Sequence, residues 1–232
     1  MTRRGSVSSQ LRRLLAASAA WFYVLAALPL AAEPANLGPH KAEIRAYVDT
    51  GVYLRDVAKV AGQARTWLEQ RARLEPRTGG KPAARLAIVL DLDETLFFNW
   101  PQMAAQDLGY VPDVWEKWVE SAAAPPLEPV RDLYWTARRL KIAVIFLSSR
   151  PERQRAATER NLRAIECGVY ESLILQADDD RSSNAEFKQR QRARLTAEGF
   201  AIVANVGDQD SDLAGGGAER SFKLPNPFYL TE

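Results

Sequence analysis

The 232-residue chain holds one cysteine and one histidine. A lone Cys167 excludes an intrachain disulfide framework. A zinc site of His and Cys ligands is excluded as well, because His40 and Cys167 supply one of each. Cys167 lies late in a segment of Ala, Leu and Ile, so it is expected as a small core residue. Gly-rich repeats, long low-complexity tracts and internal repeats are all absent, which leaves an ordinary globular chain rather than a solenoid. A large excess of either charge is also lacking, with a net value of +2 at neutral pH. Arg3, Arg4, Arg12 and Arg13 account for that excess; without residues 1–32 the remainder carries −2. The basicity therefore gives no support for a nucleic-acid polymer as partner.

Those arginines precede an uncharged apolar stretch from Leu14 to Ala32. A basic start followed by an apolar run reads as a signal peptide over 1–32, with cleavage after Ala32. The expected product is exported, periplasmic or secreted, and free of the membrane. The alternative is an uncleaved anchor, because the run approaches membrane-spanning length.

What the chain does have is a buried-strand pattern ending in acids. Leu86–Leu90 runs into Asp91-Leu92-Asp93-Glu94-Thr95. Clustered carboxylates repel one another and lose hydration unless a cation compensates. Ala201–Val206 runs into a second cluster, Gly207-Asp208-Gln209-Asp210-Ser211-Asp212. Side by side at the carboxyl edge of a parallel sheet, the two would hold a hard cation such as Mg²⁺ through oxygen ligands. Asp and Thr after a strand also cap helices, so either cluster alone has a structural reading.

Between them, Ile142–Leu147 reads as a third strand ending in Ser148-Ser149-Arg150. Hydroxyl and backbone N–H groups there suit phosphoryl oxygens, and a serine N-cap before a helix near Pro151 is compatible with that. Phe187-Lys188 sits on a polar helical segment shortly before the last strand. The order Asp, Ser, Lys, Asp makes the parts of a phosphoryl-transfer site.

These four segments resemble the motifs of haloacid dehalogenase (HAD) superfamily phosphatases. The likeness is greatest to secreted acid phosphatases of classes B and C and to plant vegetative storage proteins. Asn161-Leu162 and Arg220–Pro227 add to it, over about Ile44 to Tyr229. The second motif commonly reads Thr-Gly-Arg; here serine keeps the hydroxyl. The last often carries Trp where this chain has Asp210. The resemblance implies Mg²⁺-dependent hydrolysis of small phosphate monoesters through an aspartyl-phosphate. Asp91 would be the nucleophile and Asp93 the general acid and base. Asp91, the Asp93 carbonyl and Asp208 would bind the metal. Ser148, Ser149 and Lys188 would hold phosphoryl oxygens, and Asp212 would orient Lys188 or act through water. A non-catalytic storage or binding protein on the same fold, a phosphotransferase and a receiver-type signalling domain stay open. A homodimer is an admissible assembly.

The rest reads as an α/β domain over 33–232, a Rossmann-like parallel sheet with helices on both faces. Helices are expected over about 40–73, broken at Gly51, and over 152–166 and 185–198, with a strand at 172–176. Residues 97–129 interrupt the alternation and are dense in aromatics. They are expected as a small helical cap, with Trp115 and Trp118 pinning it and Trp100 stacking on a substrate ring.

Overall fold

The structure, a computed structural model, describes residues 33–74 and 84–231. The expected signal peptide over 1–32 and the loop Arg77–Pro82 lie outside the described residues. Among the described residues no helix is long and apolar enough to cross a membrane.

Helices α1 (Leu37–Asp49) and α2 (Val52–Arg73) come first. Gly51 separates them with φ +73°, a left-handed conformation that glycine adopts without a Cβ penalty. In α2, Tyr53, Val57, Ala61, Ala64 and Leu68 are buried at helical spacing, so one stripe faces the core. Strand β1 (Arg85–Leu90) follows, then α3 (Trp100–Ala105), α4 (Pro112–Ser121) and α5 (Glu128–Arg139). The remainder alternates: β2 (Ala143–Pro151), α6 (Arg155–Ala164), β3 (Ser172–Gln176), α7 (Asn184–Ala197), β4 (Phe200–Gly207), α8 (Asp210–Leu213) and β5 (Ser221–Lys223).

The five strands form one parallel sheet in the order β3-β2-β1-β4-β5. Its central strands are mainly apolar because both faces are covered. Ile88 and Leu90 of β1, with Val144 and Phe146 of β2, join the core that includes the α2 and α5 stripes. Ala87, Val89, Ile145 and Leu147 point the other way, against Phe187 and Leu195 of α7. The β1–β4 ladder shifts register at Ala87/Ile88, and the Trp67 indole N–H donates to the Val203 carbonyl over 2.7 Å beside the shift.

The fold class expected from the sequence is the one observed. Two local features differ. Strand β2 does not stop at Leu147 but runs through Ser148-Ser149-Arg150 to Pro151, with a register shift against β3 between Ser148 and Pro151. The serines therefore cap no helix: a 3₁₀ turn over Glu152–Gln154 intervenes, and α6 starts after Gln154. Strand β5, three residues long, was not expected, and it extends the sheet beyond β4.

Candidate active site

The carboxyl ends of β1, β4 and β2 deliver Asp91, Asp208 and Ser148 to one edge of the sheet, where open α/β folds bind ligands. One carboxylate oxygen each of Asp91, Asp208 and Asp212 lies within 4.8 Å of the others, and all three residues are buried. Lys188, on α7, is buried too rather than solvated. Its Nζ donates to Asp91 Oδ1 over 2.6 Å and to Asp212 Oδ1 over 2.5 Å. Burial opposes the Lys188 charge, and the Asp91 and Asp212 carboxylates more than offset it, so the ammonium is held charged. Asp212 Oδ2 accepts the Gln209 N–H over 2.8 Å, which closes a capping box on α8. The capping reading of the second acid cluster is thus correct for Asp212, and it coexists with the lysine contact. Gly207 makes this approach feasible, because a Cβ there would collide with the Asp212 carboxylate.

Burial pushes the Asp91 carboxyl up from its ordinary range, and Asp212 and Asp208 push it further while Lys188 pulls it down. Burial and Asp212 raise Asp208 likewise. Lys188 joins two of the three buried carboxylates, Asp91 and Asp212, and every donor atom in the cluster is oxygen. That set fits Mg²⁺ and does not fit a soft metal.

A second layer surrounds Asp93. Arg150 forks onto it, with Nε to Oδ2 at 2.7 Å and Nη2 to Oδ1 at 2.6 Å. Asn99 Nδ2 donates to Asp93 Oδ1 over 2.9 Å, and the Trp118 indole donates to Asn99 Oδ1 over 2.7 Å. Trp118 thereby ties α4 to the Asp93 loop, the pinning role expected of it. Glu94 has φ +51°, an uncommon backbone for a non-glycine residue. Its carboxylate accepts the Asn99 backbone N–H over 2.8 Å and the Tyr229 hydroxyl over 2.6 Å. Burial, then Asp93 and Asp208, push the Glu94 carboxyl up to about 8. Bound on both oxygens, Glu94 braces the loop.

Above these groups lies a cavity of about 520 Å³. Asp91, Asp93, Ser148, Ser149, Lys188, Asp208 and Asp212 all line it. The Ser149 and Ser211 hydroxyl oxygens are buried with no hydrogen-bond partner among the described residues. Ser148 Oγ accepts the Arg150 N–H over 3.2 Å. Trp100 is placed elsewhere: it does not line the cavity, and its ring packs on Phe228 at 5.5 Å between centroids. The aromatic lining comes from Trp115, Tyr110, Phe228 and Tyr229 instead.

Several contributors escaped the sequence reading. Arg150 stood in the quoted motif without a role. Asn99 and Tyr229 carried no motif signal. Arg192, fully buried one turn after Lys188, donates to the carbonyls of Asp212, Ala214 and Gly216 and so fixes the chain beyond α8. Its distance of four residues from Lys188 on a polar helix was the one available hint.

Comparison with known proteins gives the family. The acid phosphatase family designated HAD superfamily, subfamily IIIB, matches residues 14–232. The chain belongs to that family. Acid phosphatase 1 of Solanum lycopersicum is 40% identical over 146 residues, covering 61% of this chain and 57% of the relative. Vegetative storage protein 1 of Arabidopsis thaliana is 33% identical over 145 residues, covering 61% of this chain and 54% of the relative. The chain thus spans under two thirds of the length of these curated relatives. The class C acid phosphatase of Bacillus anthracis superposes with a TM-score of 0.66 at 24% identity, over 82% of this chain and 86% of that one. At that identity the likeness speaks for the fold alone, a parallel sheet covered by helices.

Proposed function

We propose that this chain hydrolyses small phosphate monoesters, as an acid phosphatase with an aspartyl-phosphate intermediate. The observation that carries the reading is Lys188 bridging Asp91 and Asp212, with Asp208 beside them, at the floor of the cavity. Lys188 takes Oδ1 of Asp91, so the second oxygen is the one available to attack phosphorus. That attack forms the Asp91–phosphorus bond and breaks the bond to the ester oxygen. Asp93 gives the departing oxygen a proton, then takes one from the water that cleaves the acyl phosphate. Lys188, Ser148 and the unpartnered hydroxyls of Ser149 and Ser211 would hold the phosphoryl oxygens. Asp212 keeps Lys188 aimed at them. Mg²⁺, held by Asp91, the Asp93 carbonyl and Asp208, would offset the like charges of phosphate and nucleophile.

The segment 97–129, which carries α3 and α4, would act as the cap, and Trp115 rather than Trp100 would face a planar leaving group. Residues 1–32 would direct export, and the mature chain would then act outside the cytoplasm. The likeness to a vegetative storage protein supports a second reading, a non-catalytic protein on the same fold. One assay separates the two. Purified protein should release phosphate from p-nitrophenyl phosphate with Mg²⁺, lose turnover in chelator and regain it on Mg²⁺ addition. No release under any of these conditions favours storage, and full activity in excess chelator sinks the metal assignment.

A further inference from the structure

Beyond β5 the chain returns across the site. Phe228 packs on Tyr53 and Trp100, at 5.2 and 5.5 Å between ring centroids. Phe228 to Thr231 line the cavity. The contact closest to the chemistry is made by Asn226, whose Nδ2 donates to Asp208 Oδ2 over 2.7 Å. Its Oδ1 accepts the Phe228 N–H over 2.8 Å and the Tyr229 N–H over 3.4 Å. That fixes the amide's orientation. Flipped, it would set its NH₂ against two backbone donors and its oxygen against a carboxylate.

The Asp208 carboxylate can then be counted atom by atom. A carboxylate oxygen offers about two lone-pair sites. Oδ2 accepts from Asn226 Nδ2 and from Gln209 Nε2, each at 2.7 Å, and is filled. Oδ1 accepts from Thr95 Oγ1 over 3.0 Å, which leaves it one site. The same tail steadies the second donor: Thr231 N–H gives to Gln209 Oε1 over 3.1 Å, and Gln209 Nε2 reaches the Tyr229 carbonyl over 3.4 Å.

We propose that Asn226 is a positioning residue for the cation: it occupies Oδ2 of Asp208 and so presents Oδ1 as the metal ligand. This rests on the Mg²⁺ reading given above. The alternative role for Asn226 is only to form the turn over Pro227, and the two roles belong to different atoms of one amide.

Asn226→Ser separates them. A serine hydroxyl can still accept the N–H two residues on, as such turns do, but it is too short to reach Asp208. The measurement is a calorimetric Mg²⁺ titration of the full chain without substrate, with the melting temperature recorded alongside. Loss of a group that orients a metal ligand typically costs about 10–100-fold in metal affinity. That loss is expected here, with little change in melting temperature. Asn226→Ala, which can neither donate nor form the turn, should lose at least as much affinity. Unaltered Mg²⁺ affinity in both variants, with or without a lower melting temperature, would leave Asn226 as a turn residue and overturn the proposal. Absence of Mg²⁺ binding by the unsubstituted chain would overturn the metal reading itself, and this inference with it.

Discussion

Arg150 closes a two-point fork on Asp93, with contacts of 2.7 and 2.6 Å, from the far end of a neighbouring strand. The guanidinium is itself fixed: Nη1 donates to Thr158 Oγ1 over 3.1 Å, and its carbon lies 5.0 Å from the Phe97 ring centroid. Arg150 therefore sets where the Asp93 carboxylate sits relative to Asp91, the proposed nucleophile two residues away. A lysine carries the charge without the planar fork. Misplacing a catalytic group by about 1 Å can cost roughly 100-fold in rate. Arg150→Lys should therefore lower kcat by about 10–100-fold with a smaller change in KM. A variant with kcat near that of the unsubstituted chain would show that the fork does not position Asp93.

The two tryptophans of the 97–129 segment should separate cleanly. Trp115 lines the cavity, whereas Trp100 packs against Phe228 in the core. Base–aromatic stacking is worth about 1–3 kcal/mol per base, or roughly 5–150-fold in affinity. Trp115→Ala should raise KM for a nucleoside monophosphate more than for glycerol phosphate. Trp100→Ala should lower the melting temperature and leave the ratio of the two KM values alone. The reverse pattern in parallel steady-state and melting measurements would return the stacking role to Trp100.

The fold was legible where the pattern is local. Each central strand is an apolar run, and α2 and α5 show their buried faces at helical spacing, so the alternation of strand and helix follows from periodicity alone. What escaped is short or distant. Strand β5 has three residues and one buried side chain, too few for a period. Ser148-Ser149-Arg150 has the composition of a turn, and the pairing of Ser148 and Pro151 with β3 on either side of the register shift continues the strand through it. Asp91, Asp93, Ser148, Ser149, Lys188, Asp208 and Asp212 all reach the cavity because each lies in or after the carboxyl end of a strand or on α7, which packs against the sheet. Asn99, Arg150 and Asn226 act through pairings set by three-dimensional packing, which leave no spacing to read. The sequence favours Trp100 over Trp115 for stacking, yet Trp115 is the ring that lines the cavity, because the starts of α3 and α4 decide which ring faces inward.

Cys167 should be chemically silent in the folded chain. It is fully buried, and burial pushes its thiol up to about 12. The thiolate is the reactive form, so at pH 8 almost none is present. A disulfide reagent at pH 8 should label it only as fast as the chain unfolds, and quickly in strong urea. Rapid stoichiometric labelling of the native protein would mean that the site is open. The absence of a second cysteine keeps this readout free of intrachain exchange.

The two aspartates of the β1 edge should fail in different ways. Under the proposed mechanism Asp91→Asn removes the oxygen that bonds to phosphorus, so no choice of substrate should restore turnover. In the same mechanism Asp93→Asn removes the proton donor, and that loss should depend on the leaving group. An alkoxide departs poorly without a proton, whereas a nitrophenolate is stable as an anion. General acid–base catalysis is typically worth about 10²–10⁴-fold. Asp93→Asn should lose much of that factor on glycerol phosphate and clearly less in the first step on p-nitrophenyl phosphate. The second step still needs a base for its water. A burst of nitrophenol should therefore precede slow turnover as aspartyl-phosphate accumulates. Asn99 and Arg150 both hold the residue in place, so the substitution can also shift the loop. Comparing the two substrates in the same variant cancels such a shift, because it would slow both alike. Single-turnover kinetics of both variants on both substrates make the measurement. Equal losses across all four combinations, without a burst, would show that Asp91 and Asp93 do not divide nucleophile and acid between them.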